Sequence, residues 1–300
     1  MMSPIDLTVP YGATGRGFLR KNIFADEHRL LGPASIVVDV GAHHGEEIAT
    51  YREMFPDAIV HAIEPTPSAL DILKHDWGHD PRVRIHGYAL AEHDGEATLH
   101  AYTASECNSL TPYAAGHRSS ASVVGLAPLT VRTTSLDRLC ASCEIASIDL
   151  LKLDTQGSEL RVLAGASTLL REARIRLIAV EVAFVTLYEH QANPEHVMMR
   201  LREAGYQLYD WYNFSYGNDG QVLFGDALFL PARAAGLLPA APIADLDAPS
   251  IDAITSDNTP LHARIAQLER RVDRYKSKLQ EVRQRLKHRG SHRLPRPGDV

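Results

Sequence analysis

The stretch "IVVDVGAHHG" at residues 36–45, followed by "IVHAIEP" at 59–65, sets the first problem this chain poses. Two short β-branched runs each end on polar punctuation, the first on Asp39-Val40-Gly41 and the second on Glu64-Pro65. Glycines at Gly41 and Gly45 let the backbone turn sharply into a helix and let a ligand approach without a Cβ in the way. A carboxylate at the tip of the second strand is placed to accept hydrogen bonds from ribose hydroxyls. Three accounts compete: a nucleotide-type cofactor, a metal at His43-His44, and a merely tight strand–helix turn. A dinucleotide would ask for G-x-G-x-x-G, whose second glycine makes room for the pyrophosphate. Here the spacing is Gly41-x-x-x-Gly45 and position 43 is His. That disfavours a nicotinamide-dependent oxidoreductase and favours a nucleoside without phosphates that carries a cationic sulfur. Metal binding at His43 and His44 is disfavoured because adjacent side chains rarely converge and no partner sits nearby at metal-site spacing. No metal is expected.

Around these two strands, residues 34–231 alternate apolar runs with amphipathic helical ones. Strands are predicted at Ile36–Val40, Ile59–Ile63, Val83–Leu90, Ile148–Leu153 and Ile175–Val182, with helices near 45–55, 68–76, 157–171 and 194–204. This alternation is the pattern of an α/β fold with a parallel sheet covered on both faces. "EATLHAYT" and "LTVRTTSL" flank a polar loop at 104–127 and read as a hairpin. Tyr206–Trp211 and Ala227–Leu230 lie on either side of the turn signal Asn218-Asp219-Gly220, so they are expected to be antiparallel neighbours at one side of the sheet.

Residues 1–33 read as an N-terminal extension and 232–259, rich in Ala, Pro and Asp, as a linker. Beyond it Leu261, Ile265, Leu268, Val272, Tyr275, Leu279, Val282 and Leu286 step by four and three. Such a stripe predicts a basic coiled coil over 260–289, with homo-oligomerisation through 261–286 and a disordered tail at 290–300. Its Arg and Lys residues suggest peripheral contact with an acidic membrane surface. The whole chain of 300 residues carries a net charge of −6, which argues against nucleic-acid binding. Three cysteines, Cys107, Cys140 and Cys143, fit a reducing compartment better than a disulfide framework. Cys140-x-x-Cys143 has no second pair and is expected to be inert. With neither a signal-peptide pattern nor a run of roughly 20 apolar residues, a cytoplasmic protein is expected, peripheral at the inner membrane if the basic segment engages lipid.

"VVDVGAHHGEE", "IEPTPSALDIL", "YALAEHDGEATLHAY", "NSL", "TSLDRL", "LLKLDTQGSELRVLAGA" and "EVAFVTLYE" together resemble the successive motifs of FkbM-type methyltransferases over residues 31–231. The resemblance implies a Rossmann-like class I methyltransferase fold, a seven-stranded mostly parallel sheet with one antiparallel strand. It implies S-adenosyl-L-methionine as cofactor and O-methylation of a hydroxyl on a sugar, glycan or secondary metabolite. It also places Asp39, Gly41, Ala42 and Gly45 on the methionine portion, Glu64 on the ribose, Pro65 and Thr66 beside the adenine, and Ala89 and Leu90 over its ring. Many members carry an acid where this chain has Gln156, so a divalent metal is not expected.

Asp154 and Glu181 each end a strongly apolar run, and an isolated buried carboxylate is costly unless paired or working. They are the candidate catalytic groups, Asp154 first, as base or substrate-hydroxyl ligand. A helix cap or an ion pair with Lys152 or Arg161 is the competing account. Around them His43, His44, Asn108, Ser109, Tyr113, Trp211 and Tyr212 offer amides, imidazoles and aromatic faces suited to a sugar, and equally suited to a core edge. A non-catalytic scaffold organised by the coiled coil is the remaining alternative.

Overall fold

The computed structural model describes residues 22–114 and 123–232. The coiled coil, linker and tail predicted beyond residue 232, and with them the oligomerisation segment, lie outside the described residues. The sheet is built from β1 (Ile36–Val40), β2 (Ile59–Ile63), β3 (Val83–His86), β7 (Ile148–Leu153), β8 (Ile175–Ala183), β9 (Tyr206–Tyr216) and β10 (Val222–Pro231). Their order is β3-β2-β1-β7-β8-β10-β9, and β10 runs antiparallel to both its neighbours. The chain therefore builds outward from β1 through β2 to β3, then returns to β1's other side with β7. That reversal is the point at which open α/β sheets form a crevice beyond the strand ends.

Strand periodicity sorts the side chains into two cores. Val38 and Val40 of β1 pack with Leu151, Leu153, Ile178 and Val180 under α4 (Leu136–Ser142), α5 (Glu159–Ala164), α6 (Ser167–Arg171) and α7 (Pro194–Glu203). Val37, Val60, Leu150 and Leu177 pack on the other face with α1 (Ile23–Leu31), α2 (Ile48–Met54) and α3 (Pro67–Trp77). Helix α1 starts at Asn22, whose side chain accepts from the Phe24 and Ala25 amides, and it buries Ile23 and Leu31 in the second core. A side-chain oxygen at this position satisfies amides that have no partner within the helix. The packed body thus includes a helix from the segment expected to be an extension.

Two predicted elements divide. The run Val83–Leu90 is one strand in the sequence pattern, yet only β3 joins the large sheet. Ala89–Leu90 is a separate strand, β4, paired with β6 (Leu129–Thr134) in a three-stranded sheet that β5 (Gly95–Leu99) completes. The expected hairpin is the antiparallel β5–β6 pair of this second sheet. The helix expected over 157–171 breaks into α5 and α6 at Gly165. A Cβ there would sit 2.1 Å from the Ala91 carbonyl oxygen, so the two backbones approach too closely for any side chain. Asp137 then caps α6, accepting from the Thr168 and Leu169 amides at 2.8 and 3.0 Å.

Candidate active site

A cavity of about 530 Å³ opens beyond the carboxyl ends of β1, β2, β7 and β8. Its floor is the turn after β1. Gly41 adopts φ +87°, and a Cβ at this residue would fall 1.9 Å from the Asp154 carbonyl oxygen. The Gly41 and Ala42 amides donate to the Ile63 carbonyl, and the Asp154 amide donates to that of Val40. Three strand ends are locked together by backbone alone. Asp39 is buried beside this turn and its Oδ1 has no hydrogen-bond partner among the described residues. Burial, with the neighbouring Glu47 and Asp154 carboxylates, pushes the Asp39 carboxyl up to about 7 against the pull of Lys152. Glu64, also buried, accepts from the His43 amide at 3.0 Å and the Thr66 amide at 2.7 Å. A carboxylate has about four acceptor sites, so two remain for a ligand. Pro65, Thr66, Ala89 and Leu90 continue the wall.

The adjoining wall is built from side chains. Gln156 donates through Nε2 to Asp154 Oδ1 at 2.7 Å and to Glu181 Oε2 at 2.9 Å, while its Oε1 accepts from the Tyr188 hydroxyl at 2.8 Å. It does so from φ +55°, a conformation uncommon for a residue with a side chain. Lys152 Nζ lies 3.3 Å from Asp154 and 3.1 Å from Glu47. Burial alone would lower the Lys152 pKa, but Asp154, Asp39, Glu47 and Asp226 hold it well above the usual range. Burial raises the Glu181 carboxyl well above the carboxylate range, and Asp154 and Asp226 add to it. Glu159, pushed by burial up to about 7, braces the loop below by accepting from the Thr155 and Gly157 amides. Of the two partners considered for Asp154 from sequence, Lys152 is present and Arg161 is not; Arg161 pairs with Glu92 at 2.9 Å.

The residues singled out from sequence separate into three groups. Asp39, Gly41, Ala42, Glu64, Pro65, Thr66, Ala89, Leu90, Asp154, Glu181, His43, Asn108, Ser109 and Tyr113 all line the cavity. Within it Asn108 and Ser109 spend their polar atoms on the protein, Asn108 Oδ1 accepting from the Tyr102 amide and Ser109 Oγ donating to the Gln156 carbonyl. Gly45, His44, Trp211 and Tyr212 are not part of the lining. Gly45 leaves space filled by Leu73, Trp77 and Ile48. Tyr212 points into the core beneath α1, where its hydroxyl donates to Asp26 at 2.7 Å. Trp211, one residue away on β9 and so on the other face, joins Phe184 and Phe214 in an aromatic group with ring centroids 5.2 and 6.1 Å from its own. His43 and His44, expected to diverge, lie side by side. Their rings stack at 3.7 Å, and one ligand atom from each and from Glu46 come within 4.8 Å of one another. Glu47 and Tyr188 were not singled out from sequence, and Lys152 was considered only as a partner of Asp154, with which it shares a strand face by the two-residue period.

A crevice at the reversal of strand order, a glycine floor and a buried acid at each of the first two strand tips suit a nucleoside cofactor carrying positive charge. The unpartnered Asp39 oxygen and the Cβ-free approach at Gly41 fit it directly. A family model described as the methyltransferase FkbM domain matches residues 39–208, and the chain belongs to that family. It is an S-adenosylmethionine-dependent methyltransferase. The chain is similar to the 2-O-methyltransferase NoeI of Sinorhizobium fredii, 26% identical over 166 residues that cover 53% of this chain and 68% of that protein. It is also 29% identical over 210 residues to the 31-O-demethyl-FK506 methyltransferase FkbM of Streptomyces tacrolimicus, covering 59% and 80% of the two. Among solved structures it matches magnesium protoporphyrin IX methyltransferase from Synechocystis PCC 6803 at 11% identity, a TM-score of 0.39, and coverage of 72% and 86%. Among the described residues no helix is long and apolar enough to cross a membrane.

Proposed function

We propose that this protein transfers a methyl group to a hydroxyl of a sugar or other small metabolite, with Glu181 taking the hydroxyl proton. The observation that carries the reading is the pair of carboxylates bridged by Gln156 beside the cofactor turn. Bound S-adenosylmethionine would supply an electrophilic methyl on a cationic sulfur, held by Asp39, Gly41, Ala42 and Glu64. What the chain must add is an oriented acceptor oxygen relieved of its proton. Orientation can supply about 7–11 kcal/mol of the barrier and a general base typically 10²–10⁴-fold. Asp154 is engaged by Lys152 as well as Gln156, so its oxygens are already committed to protein partners. Glu181 has only the amide as a side-chain partner among the described residues, and burial raises its pKa, which makes its carboxylate more basic than an ordinary one of its type. Asp154 then orients the amide, and through it the acceptor. The two relatives named above are a 2-O-methyltransferase and a 31-O-demethyl-FK506 methyltransferase, which supports an oxygen acceptor.

The test is transfer of labelled methyl from S-adenosylmethionine to a panel of nucleotide sugars, oligosaccharides and hydroxylated polyketides. Label appearing as a base-stable methyl ether on one panel member is the expected result. Label found on nitrogen or on a carboxylate would overturn the hydroxyl assignment while leaving the methyltransferase assignment intact.

A further inference from the structure

Away from the cavity, three side chains from separate parts of the chain converge. His61 lies on β2, His86 ends β3, and Cys143 is the residue that terminates α4. One ligand atom from each lies within 4.8 Å of the other two, and none of the three lines the cavity. We infer that His61, His86 and Cys143 form a second, structural site for a divalent zinc ion, with the fourth position open to water.

The two imidazole nitrogens already lie close to the spacing that a shared metal would require. His61 Nδ1 and His86 Nε2 are 3.0 Å apart, their rings nearly parallel at 10°. A contact this short between two imidazoles requires one ring nitrogen to be an unprotonated acceptor, the form that binds metal. Tetrahedral zinc with Zn–N of 2.0–2.1 Å sets two nitrogens about 3.3 Å apart. The nitrogens need separate by only a few tenths of an ångström, while both rings tilt from their end-on contact so that the lone pairs meet at the ion. His86 keeps its other nitrogen, Nδ1, against the Tyr88 hydroxyl at 3.1 Å. A partner on the second ring nitrogen is what fixes the orientation of metal-bound histidines. The Arg132 guanidinium lies over the Tyr88 ring, 6.0 Å from its centroid, and so braces the partner in turn.

A plain imidazole–imidazole hydrogen bond would account for the two histidines but not for the thiol beside them. Cys143 is exposed, so its side chain can rotate the remaining distance and water can reach the fourth position. Two imidazoles with one thiolate select zinc over magnesium or calcium, which take oxygen ligands. On binding, the thiol gives up its proton to solvent. Cys140, buried in the core, is the other half of the C-x-x-C spacing and takes no part. The ion would clip the β2–β3 edge of the sheet to the end of α4.

The experiment uses the full chain, stripped with a chelator, kept reduced without thiols, and titrated with cobalt(II) as the spectroscopic stand-in for zinc. One equivalent should produce a thiolate-to-cobalt charge-transfer band in the near ultraviolet together with the visible bands of four-coordinate cobalt. Zinc should abolish both. Cys143→Ser should remove the charge-transfer band, and His86→Gln should weaken cobalt binding at least tenfold. His43, His44 and Glu46 contain no sulfur and cannot produce that band. Because Cys143 is exposed its variant is expected to fold, and zinc should raise the melting temperature of the wild type but not of the variant. Absence of the band, or a band that survives Cys143→Ser, overturns the site, as does a wild-type melting temperature that zinc leaves unchanged.

Discussion

The two walls of the cavity are made by different means. The cofactor wall is backbone: Gly41, Ala42 and the Val40 carbonyl are tied to Ile63 and Asp154 by main-chain hydrogen bonds, with two buried acids at the strand tips. The acceptor wall is a side-chain network in which one amide, Gln156, holds Asp154, Glu181 and Tyr188 at once. Backbone geometry tolerates no change at its close approaches, whereas a side-chain network can lose a member and keep its shape. On the proposed reading the first wall positions the cofactor and the second acts on the acceptor.

The sharpest way to break this contrast is Gly41→Ala. A Cβ 1.9 Å from a carbonyl oxygen, on a residue at φ +87°, forces the turn off β7. The expected cost is on the order of 3 kcal/mol of stability, with cofactor binding lost. Calorimetric titration and thermal melting check it; a stable variant with normal affinity would mean that the turn yields and the backbone wall is not rigid. Next in size is Glu181→Gln. It keeps the shape of the network, so S-adenosylmethionine affinity should stay within a few-fold while kcat falls by about 10² or more. Should Asp154→Asn prove the more damaging of the two, the roles of base and orienting group are reversed.

The smallest effect sharpens the cofactor side. Burial pushes the Asp39 carboxyl up to about 7, and a cationic ligand favours its ionised form. Affinity for S-adenosylmethionine should therefore rise with pH, by roughly tenfold between pH 6 and 8, as the carboxylate forms. Asp39→Asn should bind weakly and show none of this rise. Calorimetry across the range decides, and an equal slope in both proteins would place the titrating group elsewhere.

The same contrast explains what could be read in advance. The cofactor wall was legible because its determinants are local: a strand, a glycine, and an acid at the next strand's tip all fall within residues 36–66. Asp154 and Glu181 were also legible, since a charge closing an apolar run stands out. What was hidden depended on contacts distant in sequence. Nothing local tells that Tyr188 reaches Gln156, or that Ala91 approaches Gly165 closely enough to break a helix. Tyr212 was misplaced for a subtler reason. Strand β9 carries register shifts against β10, so counting alternate residues from its start gives no reliable face. The division of Val83–Leu90 was invisible because both halves are good strand sequence, and only pairing to different partners separates them.

The contact between Gly41 and the Asp154 carbonyl has a consequence for how such an enzyme can diversify. It acts as a fixed ruler: the span from the cofactor turn to the end of β7 is a property of two main chains, indifferent to the side chains mounted on either. Replacements at Asn108, Tyr113 or Tyr188 could reshape what enters the cavity without lengthening or shortening that span. Choice of acceptor and reach of transfer are in this way separate inheritances, and only the first is free to vary.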